Sequence, residues 1–263
     1  MILTVDIGNS RIKWAQWQAD VIFMRGVAGY SADTLSAAFD QLFSSAVSPI
    51  ERPSQVFAVC VAGDEVRQVL SDLVKQHWQM DVQYLKTEKR YKNIVNAYEN
   101  PEQHGADRWA AVVAGHQIFP DSAVCVISAG TAITFDLVKR NGQHMGGYIL
   151  PSYVTMHAAL MGDTANVVSA VNLQFNKNRY KNIPDNTDDA VNEGLHRLLQ
   201  AGIRELCQFA EESVADPMQT ILTGGFAKTI LSYPDMPAMH HKPDLVMQGL
   251  YDIMKQQKRG SVS

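Results

Sequence analysis

The segment that most constrains this chain is VDIGNSRIKWA, residues 5–15, because it is echoed near the middle of the sequence by ISAGTAITFDL, residues 127–137. Each copy keeps an apolar run, a glycine just beyond its end (Gly8, Gly130) and a small polar residue after the glycine (Asn9, Thr131). The surroundings repeat as well. Around the first copy, residues 2–6, 11–17 and 21–25 read as extended runs separated by Gly8-Asn9-Ser10 and Gln18-Ala19-Asp20, which is the pattern of an antiparallel meander. Around the second, 124–128, 131–138 and 147–150 repeat the order strand, glycine turn, strand, strand.

Helices follow both meanders. Ser31 offers an N-cap before Leu35, Ala38, Phe39, Leu42 and Phe43, whose spacing marks one apolar helical face that should end near Pro49. A buried-type strand over 56–62, an amphipathic helix over 64–78 and a short strand over 82–85 then alternate. The second half predicts helices over 153–161 and 188–213, a strand over 220–223 and a helix after Gly224-Gly225. The expected architecture is therefore α/β, with two similar lobes over 1–118 and 119–263, each offering one loop to a shared cleft.

Composition narrows the partners. Hydrophobic residues make up 46% and charged residues 19%, which is the balance of a folded chain and excludes general disorder. A formal net charge of −4 leaves no global positive field for nucleic acid or an anionic membrane, so any polyanion must be gripped locally. Cys60, Cys125 and Cys207 are odd in number, far apart and set in apolar stretches, which predicts buried thiols in a reducing compartment. The opening MILTVDIGNS has no basic and apolar leader pattern, and no apolar run reaches the roughly 18 residues of a membrane span. A cytoplasmic protein is expected. The eight histidines show no HExxH or other zinc spacing, and His240-His241 stands beside Pro243; all are expected to be structural or surface residues. The basic runs over 86–92 and 176–181 are expected to be solvated loops.

In DIGNSRIK the residue types suit a phosphate tail. Gly8 permits close approach of backbone, Asn9 and Ser10 add donors, Lys13 supplies positive charge, and Asp6 at the strand end can hold a hydrated magnesium ion. A plain hairpin uses the same residues, so the segment gains weight from Gly130-Thr131 in the second copy and from ILTGGFAKTI. There Thr223-Gly224-Gly225 leads a strand into a helix and could let a flat nucleoside lie on the backbone, although an ordinary strand-to-helix turn reads the same way. Neither GxxxxGK[ST] nor GxGxxG is present, which leaves the P-loop and dinucleotide-binding solutions unsupported.

At these residues the sequence closely resembles the type III pantothenate kinases, members of the acetate and sugar kinase, heat-shock and actin superfamily. The resemblance rests on DIGNSRIK; on Tyr98 and Pro101 leading into GADRW (Gly105, Ala106, Asp107, Arg108, Trp109); on GTAITFD from Gly130; and on GGYILP from Gly146. Thr187 with Ala190 and Gly194, LTGGFA from Leu222, and the C-terminal HKPDLVMQGL complete it. It implies a two-lobed actin-like ATPase (RNase H-like) fold with duplicated lobes around a nucleotide cleft. It also implies ATP-dependent phosphorylation of pantothenate to 4'-phosphopantothenate, the first step of coenzyme A biosynthesis, by a homodimer.

By the same resemblance, Asp107 is the base that accepts the proton of the pantothenate hydroxyl; its plain alternative is a helix N-cap for 108–117. Arg108 suits the substrate carboxylate bidentately, a surface salt bridge being its plain alternative, and Tyr98, Gly105, Ala106 and Thr187 line the substrate pocket. The ATP-binding set is Asp6, Ile7, Gly8, Asn9, Ser10, Arg11, Ile12 and Lys13 with Thr131 from the second lobe, and magnesium accompanies the nucleotide. Two positions depart from the family. Its second loop usually carries an Asp that helps bind potassium or ammonium, and here that position is Ser128, whose hydroxyl lacks the charge. Ser152 stands where glycine is common after Pro151. Two rival readings are a regulatory or binding relative that has lost catalysis, with Ser128 as its foothold, and an RNase H-like nuclease, which would need clustered carboxylates and a basic groove that the sequence lacks.

Overall fold

The computed structural model describes residues 1–43, 52–163, 169–178 and 182–260. The chain forms two compact units, one of residues 1–114 together with the chain from Asp244 onward, the other of residues 115–243.

In the first unit, β1 (Ile2–Ile7), β2 (Arg11–Gln18) and β3 (Val21–Gly29) form the expected antiparallel meander. Then come α1 (Leu35–Phe43), β4 (Gln55–Cys60), α2 (Asp64–Trp78) and β5 (Val82–Tyr84), giving a sheet of order β3-β2-β1-β4-β5. Short turns permit the antiparallel pairs, whereas β4 and β5 run parallel to β1 because each is reached through a helix. Leu3, Val5, Ile7, Ile12, Phe39, Leu42, Leu70 and Val74 are fully buried in the resulting core. Beyond β5 lie a small hairpin, β6 (Arg90–Tyr91) with β7 (Ile94–Val95), and α3 (Ala106–Ile118).

The second unit repeats this plan. Its elements are β8 (Ala123–Ala129), β9 (Ala132–Val138), β10 (His144–Pro151), α4 (Tyr153–Asp163), α5 (Thr187–Glu212), β11 (Met218–Thr223), α6 (Ala227–Ser232) and β12 (His240–His241). The sheet order is β10-β9-β8-β11-β12, the same order and the same strand directions as in the first unit. The duplication read from the sequence is thus a duplication of sheet topology. Cys60, Cys125 and Cys207 are free, buried thiols. Among the described residues no helix is long and apolar enough to cross a membrane.

Three expectations are corrected. The division falls inside α3, at Gly115, and the second unit stops at Pro243 instead of running to the C-terminus. The reason is α7 (Leu245–Gly260), which packs on β1 and β4 of the first unit. There Tyr251 stacks on Trp17 with ring centroids 4.3 Å apart and donates its hydroxyl to Asp20 at 2.6 Å, and Lys255 pairs with the same carboxylate. The run over 86–92 is not only a solvated loop. It contains β6, and the buried Tyr91 fastens it to α7 through the Asp252 carbonyl at 3.1 Å and Gln256 at 2.8 Å. Asp107 does not cap α3 from outside, as described below. The helix end expected near Pro49, and residues 179–181 of the second basic run, lie outside the described residues.

Candidate active site

The first unit gathers the charged candidates. Asp6, one residue before the end of β1, lies directly opposite Lys13 of β2, and Lys13 Nζ is 3.7 Å from Asp6 Oδ2. Asp6 is only 8% exposed, and burial pushes its carboxyl up to about 6; Lys13 pulls it down and the charge of Asp107 pushes it further up. A buried carboxylate that one lysine does not fully compensate is a fitting place for a cation, so the site passes the chemical test for a hydrated magnesium ion. Ile7 and Ile12 are fully buried and can offer a ligand only their backbone, whereas Asn9, Ser10 and Arg11 are exposed at the turn. Gly8 closes that turn by donating its N–H to the Arg11 carbonyl at 3.0 Å.

The GADRW segment begins α3. The carbonyl of Gly105 accepts from Trp109 N–H at 2.9 Å, so Gly105 stands at the cap and Asp107 lies in the first turn, where the positive end of the helix dipole favours a carboxylate. Asp107 Oδ1 accepts from the Arg108 N–H at 2.8 Å. A Cβ at residue 105 would meet Asp107 Oδ1 at 2.8 Å, so glycine is what lets this carboxylate fold back over the helix start. Gly105, Ala106 and Asp107 are half-buried, which leaves the carboxylate reachable.

Arg108 is buried and donates from Nη1 to the Tyr98 hydroxyl at 3.1 Å. Tyr98 stacks on the buried His104 with ring centroids 4.8 Å apart and nearly parallel planes. Asn96 ties the two together, accepting from Tyr98 N–H at 3.0 Å and meeting His104 Nδ1 at 3.1 Å. Thr87 adds a hydrogen bond to the His104 carbonyl at 2.6 Å. The sequence singles out Tyr98, Asp107 and Arg108 but not Asn96, His104 and Thr87, which the fold packs around Tyr98. His104 immediately precedes the GADRW motif, whereas Asn96 follows β7 and Thr87 lies three residues beyond β5, so only His104 carried a local signal.

The second unit places a neutral set at the matching point. Ser128 of β8 pairs in register with Thr134 of β9 and Thr223 of β11, so three hydroxyl residues stand side by side across three strands. Thr131 is exposed in the turn, and its carbonyl accepts from the Thr155 hydroxyl at 3.2 Å. Ser152, the second departure, is buried and caps α4, its Oγ accepting from Thr155 N–H at 3.2 Å. Gly224 has φ +98, and a Cβ there would lie 2.3 Å from the Ala129 carbonyl oxygen. The glycine pair therefore packs the β11–α6 turn against the end of β8, and Phe226 N–H donates to the same carbonyl at 3.1 Å. Thr187 opens α5, where Asn186 supplies the cap, and lines a groove of about 770 Å³ with Leu160, Ala190, Gly194 and Leu198.

Comparison with known proteins follows this geometry. Residues 2–208 match the family described as Type III pantothenate kinase. The type III pantothenate kinase of Nitrosococcus oceani is 31% identical over 264 residues, covering 97% of this chain and 94% of its own length. That of Polaromonas sp. is 28% identical over 256 residues, covering 95% and 96%. Among solved structures, a Campylobacter jejuni protein described under the Baf family of transcriptional activators superposes with a TM-score of 0.58 at 21% identity, over 98% of this chain and 99% of its own. The activator of the 2-hydroxyisocaproyl-CoA dehydratase from Clostridium difficile, solved with bound ADPNP, gives 0.55 at 10% identity, over 100% and 97%. At these identities the likeness establishes the fold, the two-lobed actin-like ATPase fold expected from the sequence.

Proposed function

This chain belongs to the type III pantothenate kinase family, and from that premise we propose that it transfers the γ-phosphate of ATP to the primary hydroxyl of pantothenate with Asp107 as the base. The product is 4'-phosphopantothenate, and the reaction is the first step toward coenzyme A. The observation that carries the assignment of residues is the grouping of Asp6, Lys13, Asp107, Arg108 and Tyr98 in one unit, with the charge of Asp107 felt at Asp6.

Asp107 orients the pantothenate hydroxyl and takes its proton as the oxygen attacks the γ-phosphorus and ADP departs. The transition state of phosphoryl transfer is loose, so the proton moves late and an ordinary carboxylate suffices. Arg108, held by Tyr98, pairs with the substrate carboxylate through its guanidinium fork. The Gly8–Arg11 turn and Lys13 receive the phosphate oxygens, with Thr131 as a further ATP contact. Asp6 would hold magnesium, which when bound neutralises charge on the triphosphate.

The row Thr134, Ser128, Thr223 offers a monovalent cation hydroxyls but no carboxylate, so stimulation by potassium or ammonium should be small. A homodimer is proposed as well, since Leu160 and Leu198 are large apolar residues exposed along the Thr187 groove. Sedimentation of the purified protein at micromolar concentration tests it, a monomer being the contrary result. No observation favours a non-catalytic regulatory relative, because the charged set is intact.

The test of the function is a coupled assay of purified protein with ATP, magnesium and pantothenate. ADP production that depends on pantothenate is expected. ATP binding without pantothenate-dependent turnover would overturn the proposal.

A further inference from the structure

The turn that this reading gives to phosphate is clasped from behind by one residue. Tyr30 follows the edge strand β3, and its N–H donates to the Ser10 carbonyl at 3.0 Å. Its hydroxyl donates to the Gly8 carbonyl at 2.5 Å. Two carbonyls of a four-residue turn are thus engaged by the same side chain and backbone. In a trans peptide the C=O of one residue and the N–H of the next point in opposite directions. Fixing the Gly8 carbonyl on Tyr30 therefore aims the Asn9 N–H away from Tyr30, toward the open side of the turn.

The second unit uses the same device with different residues. There the Thr131 carbonyl accepts from Thr155 Oγ1 at 3.2 Å, and Thr155 is in turn held by Ser152 at 3.0 Å just after the edge strand β10. In both units a hydroxyl that follows the outer strand of the meander secures a carbonyl of the glycine turn. Nothing in the sequence echo requires this, since Tyr30 and Thr155 share neither type nor motif.

We propose that Tyr30 is a positioning residue for ATP: its hydroxyl holds the Gly8–Arg11 turn with the Asn9 N–H presented to the phosphate chain. The inference rests on the reading of this turn as the phosphate site. A turn left free by loss of the hydroxyl would have to be ordered by the ligand itself, and that cost appears in nucleotide affinity rather than in the chemical step.

The experiment is steady-state kinetics of Tyr30→Phe, with Lys13→Ala and the parent protein measured in parallel. Removing one hydrogen bond of this kind should raise KM for ATP about three- to tenfold. KM for pantothenate should stay within about twofold of the parent, a split that general loosening of the fold would not produce. If Lys13→Ala raises KM for ATP and Tyr30→Phe leaves it unchanged, the role of Tyr30 is overturned while the phosphate reading stands. If neither variant changes it, the phosphate reading itself fails. An equal rise in both KM values for Tyr30→Phe, with a lowered melting temperature, would make Tyr30 a structural residue only and would also overturn the inference.

Discussion

The turn after β1 and the turn after β8 occupy the same place in two sheets of identical strand order, yet they carry opposite chemistry. In the first, Asp6 faces Lys13 across the strand pair, and Asp107 adds a second negative charge nearby. In the second, Ser128 faces Thr134, with Thr223 on its other side, and the row is neutral. The backbone supplies the same glycine turn, closed by Gly8 N–H to Arg11 at 3.0 Å in one case and by Gly130 N–H to Ala132 at 2.9 Å in the other. The duplicated topology therefore gives the two units equivalent turns, while the side chain one residue before the strand end sets the charge beside each. Charge stands beside the first turn and hydroxyls beside the second, a contrast that can be tested one residue at a time.

The largest effect should come from the charged unit. Asp107→Asn keeps the size and hydrogen bonding of the side chain but cannot accept the substrate proton. Turnover should fall by about 10²- to 10⁴-fold with the far-UV circular dichroism unchanged. A variant as active as the parent would remove Asp107 from the mechanism and, with it, the functional contrast between the units.

Asp6 gives the next effect, and its sign is the opposite for stability and for activity. Its carboxyl is raised to about 6 from an ordinary 3.8, so the folded protein binds more protons than the unfolded chain between those values. The contribution of Asp6 to stability is therefore largest below about pH 4 and is lost as pH rises through 6. Asp6→Asn removes that loss: at pH 7 it should stabilise the protein by up to about 3 kcal/mol while impairing turnover. Urea unfolding of both proteins at pH 4.5 and 7.5 measures it. A variant no more stable than the parent at the higher pH would mean that Lys13 already compensates the buried charge.

Much of this was legible beforehand. The echo of VDIGNSRIKWA in ISAGTAITFDL located both meanders because alternating apolar residues and glycine turns are local signals. Non-local facts were not legible. The second turn is one residue shorter, since Ile7 pairs with Ile12 but Ala129 with Ile133, so the structural counterpart of Lys13 is Thr134 and not Phe135, as an ungapped reading gives. The amphipathic pattern of α7 says that one face is buried but not that β1 and β4 bury it. Asp107 looked like a cap because acidic residues favour helix starts; only the Gly105 carbonyl bonded to Trp109 shows the helix beginning earlier. Asn96 and Tyr30 act through hydrogen bonds to residues whose proximity follows from the tertiary fold.

The glycine turns offer a test of the backbone half of the comparison. Gly224→Ala would place a methyl group 2.3 Å from the Ala129 carbonyl oxygen, at a positive φ that alanine disfavours. It should cost about 2 kcal/mol or more, because the neighbour is backbone and cannot rotate away. Thermal unfolding measures this. An unchanged midpoint would show that the end of β8 tolerates displacement and that the two turns are not equally rigid.

The smallest expected effect sharpens the chemical half. Ser128→Asp gives the second unit the residue that the first unit has at the same register position, but without a lysine opposite, because Thr134 stands there. The new carboxylate would be half-buried between Thr134 and Thr223 and short of positive charge, the condition under which a cation is drawn in. Initial rates at constant ionic strength, in potassium, in ammonium and in a bulky organic cation, should change little for the parent and rise about fivefold with the small cations for the variant, corresponding to about 1 kcal/mol. Two results would break the argument in different ways. Strong stimulation of the parent would mean that hydroxyls and backbone carbonyls suffice to hold the ion, so neutrality at Ser128 is not a functional difference. A variant that stays indifferent would mean that the carboxylate alone does not create the site, and that the contrast between the units depends on the neighbouring threonines as well.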